Sequence, residues 1–241
     1  MPALGSDISV EAICGMLAKV STAVVSDVLA TTGFNDQVLA SAIRAAGALH
    51  RFAGPALCLA GSEGPEPPPL PSGSRPMFEA DRHITQGCVA VIAADGHAVG
   101  AVIGGNVALS WRRRGCVGVV TDGGVRDIDE CNHLGLPIFA TFIGPMSNKG
   151  LWAIREIGVP VTLPGQRGKP VTIHPRDIVH ADNDGAVIIP AAHAHQVARD
   201  ATILEEIESR IRKDLEKGED REAVYSRNDR FAHIKPPAAR Q

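Results

Sequence analysis

The sequence is poor in aromatic residues and has no large excess of either charge. Phe, Trp and Tyr make up 4% of the 241 residues, and the formal net charge is −3. Nothing in this balance suggests a nucleic-acid surface, so no nucleic-acid partner is expected. The one dense basic run, residues 112–114, is interpreted as a solvated helix face or a subunit contact.

Paired cysteines and long apolar runs are missing as well. The five cysteines are scattered and no CxxC pair occurs, which predicts reduced, mostly buried thiols and not a disulfide framework or a zinc site. No run approaches the roughly 20 apolar residues of a membrane helix, and the N-terminus lacks a basic segment followed by an apolar stretch. The sequence therefore predicts a soluble, cytoplasmic protein with no membrane partner.

Aliphatic residues are plentiful, in contrast. Hydrophobic residues make up 44% and charged residues 21%, a balance that is typical of globular proteins. Because aromatics are scarce, the core is expected to consist of Val, Ile, Leu and Ala. The length allows one large domain or two small ones, and we expect a single domain over residues 1–241.

The N-terminal third predicts a helical hairpin, a strand and a loop. Residues 10–20 and 21–31 carry apolar residues at helical spacing, with Ser21 and Thr22 between them in the position of a cap. Residues 53–60 predict a strand. The Pro-, Gly- and Ser-rich segment 61–75 predicts an exposed loop inserted in the domain.

Short apolar runs alternate with helical patterns in the middle of the chain. Strands are predicted at residues 88–94, 98–103, 116–121 and 136–142, and helices at 107–114 and 127–133. This strand–helix alternation favours a βαβ arrangement with parallel strands, and so an α/β fold.

The C-terminal half changes character. Short alternating strands separated by turn residues predict an antiparallel meander, at residues 159–163, 170–174, 178–181 and 186–189. Residues 191–217 predict a long amphipathic helix, and the tail to Gln241 is polar. We expect the segment 191–241 to lie at a subunit interface.

Two strand-to-helix turns are the candidates for a binding site. The first consists of Gly104, Gly105, Asn106 and Val107. Its glycines let the backbone approach a ligand, and the free N–H groups of the following helix suit a carboxylate or a phosphate. The alternative is an ordinary tight turn before a helix.

The second turn, residues 122–127, contains Arg126 and Asp127. An Arg at the carboxyl end of a buried strand lies where α/β sheets bind ligands, and its guanidinium matches a carboxylate in two-point geometry. A neighbouring Asp can hold a hard divalent cation. The alternative for Asp127 is a structural N-cap of the helix that begins there.

Several stretches resemble, in order, the RraA-like family, which includes the 4-hydroxy-4-methyl-2-oxoglutarate / 4-carboxy-4-hydroxy-2-oxoadipate aldolases. They are STAVVSDVL (21–29), AGPA (53–56), GCVGVVTDGGVRDID (115–129), HPRD (174–177) and ADNDGAVIIP (181–190). The block 115–129 is the closest match, and only the Pro-rich segment lies outside the resemblance between about residues 21 and 218.

The resemblance implies a fold and a set of roles. Family members are similar to the swivelling β/β/α domains of phosphotransfer enzymes and form trimers or hexamers with sites between subunits. In the aldolases the Asp of the RD pair ligates Mg²⁺ or Mn²⁺ and the Arg holds the substrate, which implies those roles for Asp127 and Arg126. The backbone N–H groups of residues 104–107 would bind the pyruvate carboxylate. Glu205 and Glu206 are the candidates for a carboxylate that reaches the water shell of a neighbour's metal.

The implied reaction is cleavage of a C–C bond in a 2-oxo acid through a pyruvate enolate, which the metal and Arg126 would stabilise. Retro-aldol cleavage of a 4-hydroxy-2-oxo diacid and oxaloacetate decarboxylation both give this enolate. One residue departs from the pattern, because the aldolases carry an aspartate of the proton relay where this chain has Gly105. Asn106 cannot act as a base, and His97 and His133 are interpreted as surface or core-edge residues.

Two alternatives are considered. The first is a non-catalytic regulator, like the family member that inhibits a ribonuclease, although that relative lacks the RD pair. The second is a methyltransferase, which the absence of a dinucleotide-type glycine turn followed by an acidic residue disfavours.

Overall fold

The computed structural model describes residues 8–235, and the first seven and last six residues lie outside this range. The helices are α1 (Val10–Leu17), α2 (Thr22–Thr31), α3 (Pro76–His83), α4 (Gly105–Arg113), α5 (Ile128–His133), α6 (Ala194–Glu216) and α7 (Arg221–Arg227). The strands are β1 (Arg44–Ala45), β2 (Phe52–Glu63), β3 (Val89–Ala93), β4 (Ala101–Ile103), β5 (Gly118–Thr121), β6 (Gly124–Val125), β7 (Ile138–Ala140), β8 (Phe142–Ile143), β9 (Trp152–Ile157), β10 (Val161–Pro164), β11 (Pro170–Ile173), β12 (Ile178–Asp182) and β13 (Gly185–Ile189).

The main sheet is mixed. Its strands follow the order β1-β7-β5-β3-β2-β12-β13, and β9 joins it along β2. The strands β2, β3, β5 and β7 pair in parallel, which confirms the predicted βαβ arrangement and the α/β fold class. β10 with β11 and β12 with β13 are antiparallel, which confirms the predicted antiparallel strands. They form two separate hairpins and not one meander, because β12 pairs with β2 and β11 does not pair with β12.

A second, small parallel sheet consists of β4, β6 and β8. It exists because the chain leaves the main sheet at two neighbouring points. Residues 136–142, predicted as one strand, are divided at Thr141, whose N–H donates to the Gly123 carbonyl at 3.0 Å and whose hydroxyl contacts the Asp122 carbonyl at 2.9 Å. These hydrogen bonds join the turn after β5 to the break after β7, so β6 and β8 run side by side beyond them.

The Pro-rich segment is shorter than predicted. Residues 61–63 extend β2, because they pair with β9, and the missing side chain of Gly61 makes room for the Trp152 ring. The loop therefore begins at residue 64 and ends where α3 starts at Pro76. Helices α3 and α7 and strand β9 were not predicted from the sequence.

The N-terminal helices pack against the C-terminal one. Leu17, Val25, Leu29 and Leu204 are almost completely buried in one cluster. Both predicted N-terminal helices are present as α1 and α2, with an angle of 112° between them. The Ser21 hydroxyl accepts the N–H of Val24 at 3.2 Å, which confirms the predicted cap. The predicted C-terminal helix begins with a 3₁₀ turn, residues 191–193, before α6.

The five cysteines are free, and four of them are buried, as the sequence predicts. In the part of the chain that the structure describes, no single helix is long and apolar enough to cross a membrane.

Candidate active site

Two short parallel strands place the two predicted turns side by side. β4 and β6 are neighbours, with Ile103 beside Val125, and the Arg126 N–H donates to the Ile103 carbonyl at 3.1 Å. Gly104 and Arg126 therefore leave adjacent strands at their carboxyl ends, where α/β sheets bind ligands.

Asp127 precedes α5, but its side chain does not cap that helix. Its φ is 57°, in the left-handed region that Asp tolerates better than most residues. Its Oδ2 accepts the N–H of Gly105 at 3.0 Å and lies 3.5 Å from Arg126 Nε. The N-cap alternative is therefore wrong for α5, because Asp127 instead satisfies the first N–H of the neighbouring helix α4.

Gly104 allows this close arrangement. A Cβ at residue 104 would lie 2.8 Å from Asp127 Oδ2 and 3.0 Å from Arg126 Nε, which is closer than ordinary van der Waals contact. The N–H groups of Asn106 and Val107 lie in the first turn of α4 and have no acceptor within the helix. They are available to an anion, which the helix dipole also favours at this end.

The carboxylate of Glu130 lies against Gly105. Its Oε2 occupies the position of a Cβ on residue 105, and that position is 3.3 Å from Asp127 Cβ. Glu130 lies three residues after Asp127, so the two side chains project from neighbouring positions at the start of α5. Glu130 was not predicted as a site residue, although its spacing from Asp127 was a usable signal.

The ends of β4 and β6 face one cleft of about 380 Å³, and Glu130 lies outside its lining, behind Gly105. The predicted site residues that line it are Gly104, Asn106, Val107, Arg126 and Asp127. The Arg126 and Asp127 side chains are 40% and 41% exposed, so both remain accessible. Apolar residues, among them Ile103, Trp111 and Trp152, line other parts of the cleft.

Helix α4 is fixed by α3, which the sequence analysis did not find. Asp81 accepts the Ser110 hydroxyl at 2.6 Å and the Trp111 indole N–H at 2.7 Å. Because Trp111 also lines the cleft, this pair of hydrogen bonds fixes the cleft wall as well as the helix that presents the free N–H groups.

The predicted carboxylates of α6 lie elsewhere within one chain. Glu205 and Glu206 line a hollow next to α1, together with Lys19 and Thr202, and Glu205 pairs with Arg212 at 2.7 Å. The structure therefore does not bring them into the cleft of their own subunit. Their contribution to a neighbour's site stays a prediction.

The two histidines nearest in sequence have structural contacts. His97 is 2% exposed, and its Nε2 accepts the Gly100 N–H at 3.0 Å. His133 Nδ1 lies 2.7 Å from the Asp129 carbonyl. Neither lines the cleft, and no contact places either ring beside Gly105.

Two residues with shifted pKa values, Cys131 and Asp122, lie near the cleft but outside its lining. Burial raises the pKa of Cys131 to about 11, and the charges of Asp127 and Glu130 add to this shift, so Cys131 stays a neutral thiol near neutral pH. Burial also raises the pKa of Asp122, whose carboxylate accepts the Ala94 N–H at 2.6 Å. Neither side chain lines the cleft.

The donor set for a metal is sparse. Within residues 8–235, no group of three or more His, Cys, Asp or Glu side chains is close enough to hold an ion. Asp127 is the predicted metal ligand that lines the cleft. Mg²⁺ is usually held by one or two carboxylates and retains several waters, so Asp127 suits one of its ligand positions.

Comparison with known proteins extends these observations. The model of the RraA-like family, described as Aldolase/RraA, matches residues 22–188. A protein of Methanocaldococcus jannaschii is 33% identical over 132 residues, which are 55% of this chain and 61% of that protein. A protein of Deinococcus radiodurans named "Putative 4-hydroxy-4-methyl-2-oxoglutarate aldolase" is 34% identical over 172 residues, which are 69% of this chain and 98% of that protein.

A solved structure has the same fold. Streptomyces coelicolor RraAS2, described as an unusual member of the RNase ES inhibitor RraA protein family, superposes with a TM-score of 0.70 at 27% identity. The superposition covers 84% of this chain and 97% of that chain. It confirms the fold that the sequence resemblance implies.

Proposed function

The chain belongs to the RraA-like family, and on that premise we propose that it is a divalent-metal-dependent lyase acting on a 2-oxo acid. It cleaves a C–C bond through a pyruvate enolate, by retro-aldol cleavage of a 4-hydroxy-2-oxo diacid, by decarboxylation of oxaloacetate, or by both. One observation carries the proposal: the free N–H groups of α4, Arg126 and the carboxylate of Asp127 line one cleft, and Glu130 lies directly behind Gly105.

Substrate binding relies on the N–H groups at the start of α4 and on the positive charge of Arg126, which line the same cleft. The N–H groups of Asn106 and Val107 bind the carboxylate of the 2-oxo acid. Arg126 donates to an oxygen of the same end, and its charge offsets the negative charge that develops as the enolate forms. Asp127 holds α4 in place through the Gly105 N–H.

Asp127 is the residue that would hold Mg²⁺ or Mn²⁺, with water molecules and a carboxylate of a neighbouring subunit, Glu205 or Glu206, completing the site. When bound, the ion supplies Lewis acidity that stabilises negative charge on the keto oxygen. Asp127 Oδ2 is engaged with the Gly105 N–H at 3.0 Å, which orients the carboxylate and leaves Oδ1 to act as a ligand.

We propose that Glu130 takes the place of the carboxylate that residue 105 lacks. The resemblance implies that the aldolases carry a proton-relay carboxylate on residue 105, and in this chain the Glu130 carboxylate occupies the start of that side chain's space. We assign the relay to Glu130. It accepts, through a water, the proton of the C4 hydroxyl. The C4–O bond then becomes a carbonyl as the C3–C4 bond breaks, the C4 fragment leaves as an oxo acid, and the electron pair of the C3–C4 bond forms the enolate. The proton then returns to C3, which gives pyruvate.

We also propose that the site is completed by a second copy of the chain in a trimer or hexamer. Several apolar side chains next to the cleft or on neighbouring segments are 41–55% exposed: Met77, Phe78, Ile143, Met146 and Leu151. A cluster of this kind supports a protein contact. Glu205 and Glu206 of a neighbour would approach the site there. Light scattering that gives a monomer would contradict this arrangement.

The enzymatic proposal is tested with purified protein supplied with Mg²⁺ or Mn²⁺. We expect release of pyruvate from oxaloacetate or 4-hydroxy-4-methyl-2-oxoglutarate, measured by coupling to lactate dehydrogenase. EDTA is expected to stop the release and added Mn²⁺ to restore it. Release that persists in EDTA rules out the metal role. No release from any such acid would favour the alternative of a non-catalytic regulator, which the fold of RraAS2 supports.

A further inference from the structure

Two of the five cysteines lie side by side where neighbouring strands begin. Cys88 directly precedes β3, and Cys116 lies two residues before β5, the parallel neighbour of β3. The Gly87 N–H donates to the Gly115 carbonyl at 2.8 Å, and the Val117 N–H donates to the Cys88 carbonyl at 2.9 Å. Neighbouring strands lie about 5 Å apart, and a disulfide joins Cα atoms about 4.4–6.8 Å apart. The spacing of the two backbones therefore suits a disulfide.

The two thiols also contact each other. Both side chains belong to the same buried cluster, and the Cys116 thiol is hydrogen-bonded to the Cys88 sulfur. This hydrogen bond lowers the pKa of Cys88, and hydrogen bonds from Thr85 add to the effect, whereas burial opposes it. The same contact raises the pKa of Cys116. Within the pair, the thiolate therefore forms on Cys88.

Cys88 is reached from a hollow of about 640 Å³ that lies between α1, the start of β2 and residues 83–88. No residue lines both this hollow and the cleft of the candidate active site. Cys88 is only 3% exposed, so the hollow admits small reagents to the thiol. Hydrogen peroxide is little larger than a water molecule of about 30 Å³ and fits this requirement.

The remaining three cysteines are poor nucleophiles. Burial raises the pKa of Cys14 and of Cys131 to about 11, and that of Cys58 to about 12. Because the thiolate is the reactive form, these thiols stay neutral and unreactive near pH 7. Cys14 lines the same hollow as Cys88 and is less buried, so access alone would favour Cys14.

We propose that Cys88 is a peroxide-sensitive thiol that forms a reversible disulfide with Cys116. The Cys88 thiolate attacks an oxygen of hydrogen peroxide, the O–O bond breaks, and the leaving hydroxide takes up a proton, which gives water and a sulfenic acid on Cys88. The Cys116 thiol then loses its proton and attacks the Cys88 sulfur. The S–O bond breaks, and the hydroxide leaves with that proton as water.

This chemistry balances without a further reactant. Two thiols are oxidised to one disulfide, and one hydrogen peroxide is reduced to two water molecules. A dithiol such as dithiothreitol reverses the change by thiol–disulfide exchange. The proposal does not depend on the lyase function, because neither thiol lines the cleft.

Peroxide treatment of the whole protein at pH 7, followed by peptide mapping in a mass spectrometer, tests the inference. We expect the five free thiols to fall by two, a linked pair of peptides that contain Cys88 and Cys116, and full recovery with dithiothreitol. Retention of all five thiols, or a disulfide between any other pair, would show that the inference is wrong.

Two serine variants separate the steps. In Cys116→Ser the hydroxyl can still donate to Cys88, but it cannot close the disulfide, so the reaction is expected to stop at a Cys88 sulfenic acid that dimedone captures. Cys88→Ser is expected to give neither dimedone capture nor a disulfide. Circular dichroism checks that both variants fold. If either is unfolded, the mapping of the wild-type protein decides the question alone.

Cys14→Ser is the matched control, because it removes the other thiol of the same hollow. It should form the disulfide as fast as wild-type protein does. In wild-type protein, Cys88 is expected to be oxidised at least tenfold faster than Cys14. The thiolate of Cys88 is about a hundredfold or more the more abundant at pH 7, and its weaker nucleophilicity offsets only part of this difference. Oxidation of Cys14 at the rate of Cys88 would contradict the proposal.

Discussion

The Oε2 atom of Glu130 occupies the position at which a side chain on Gly105 would begin. A carboxylate is therefore present beside the start of α4 even though residue 105 carries none. The two residues are far apart in sequence and are brought together by the turn at Asp127, whose left-handed backbone starts α5 next to α4. This relationship makes residue 105 and Glu130 a pair that has to be tested together.

Removal of Glu130 is expected to reduce catalysis without unfolding the protein. Glu130 is exposed, so Glu130→Gln changes little of the packing, whereas loss of a general acid–base typically lowers kcat by about 100-fold or more. Steady-state pyruvate release measures the effect, and circular dichroism checks the fold. A Glu130→Gln protein with full activity would show that Glu130 is not the relay.

An aspartate at residue 105 provides the reciprocal test. Gly105→Asp alone is not expected to raise activity, because its side chain would meet the Glu130 carboxylate and like charges repel. The double change Gly105→Asp with Glu130→Ala is expected to recover much of the activity that Glu130→Ala loses. If the single Gly105→Asp protein is more active than wild type, the two carboxylates do not share one role.

Two substitutions of Asp127 are expected to separate its effect on stability from its effect on catalysis. Asp127→Asn keeps an oxygen that can accept the Gly105 N–H, whereas Asp127→Ala leaves that donor without its partner. We expect Asp127→Ala to cost about 1 kcal/mol of unfolding free energy, the usual effect of removing a helix cap, and Asp127→Asn to cost less. Both should abolish pyruvate release and weaken Mn²⁺ binding measured by calorimetry. A fully active Asp127→Asn protein would contradict the metal role.

The two turns that form the candidate site could be predicted from the sequence, because they depend on local signals. Apolar runs end at Gly104 and shortly before Arg126, and parallel strands present their carboxyl ends at one edge. The two N-terminal helices could be predicted as well, because Ser21 is a good N-cap residue between two apolar patterns.

Contacts between distant segments could not be predicted in this way. The contact between Glu130 and Gly105 depends on the φ of Asp127, and the pairing of β9 with β2 depends on Trp152 filling the space beside Gly61. Neither leaves a periodic pattern in the sequence. Proline at the first position of α3 was a signal for a helix start, but the Pro-rich segment before it concealed that signal.

Acid is expected to weaken the anchor of the N-terminal hairpin. Burial by itself raises the pKa of Asp182, but the Thr22 hydroxyl at 2.6 Å and the Thr22 N–H at 2.9 Å outweigh burial and lower it. A carboxyl whose folded pKa is lowered stabilises the fold above its unfolded pKa of about 3.9 and loses this contribution as the pH falls through the folded value. Thr22→Val should therefore lower stability at pH 7 by about 1 kcal/mol or more, and by less below about pH 4.

Thermal or urea unfolding between pH 3 and 7 checks this expectation. Thr32→Val is the matched control, since Thr32 is also buried but its hydroxyl donates to the Val28 carbonyl at 2.9 Å and not to a carboxylate. The stability lost in Thr32→Val should be independent of pH over this range. An effect of Thr22→Val that is equally flat with pH would show that Asp182 does not depend on the Thr22 hydroxyl.

Gly104 is expected to tolerate no side chain, although its backbone could accept one. Its φ of −147° is open to any residue, so the restriction is steric: a Cβ would lie 2.8 Å from Asp127 Oδ2. Gly104→Ala should therefore push the Asp127 carboxylate away from α4 and lower kcat/KM by tenfold or more, about the effect of one lost hydrogen bond to a charged group.

Gly15→Ala is the control, because nothing lies within 4 Å of its added Cβ and the residue is in α1. It should keep full activity and raise the unfolding free energy by about 0.5–1 kcal/mol. Equal activity of the two alanine proteins would mean that the catalytic geometry does not depend on the contact between Gly104 and Asp127.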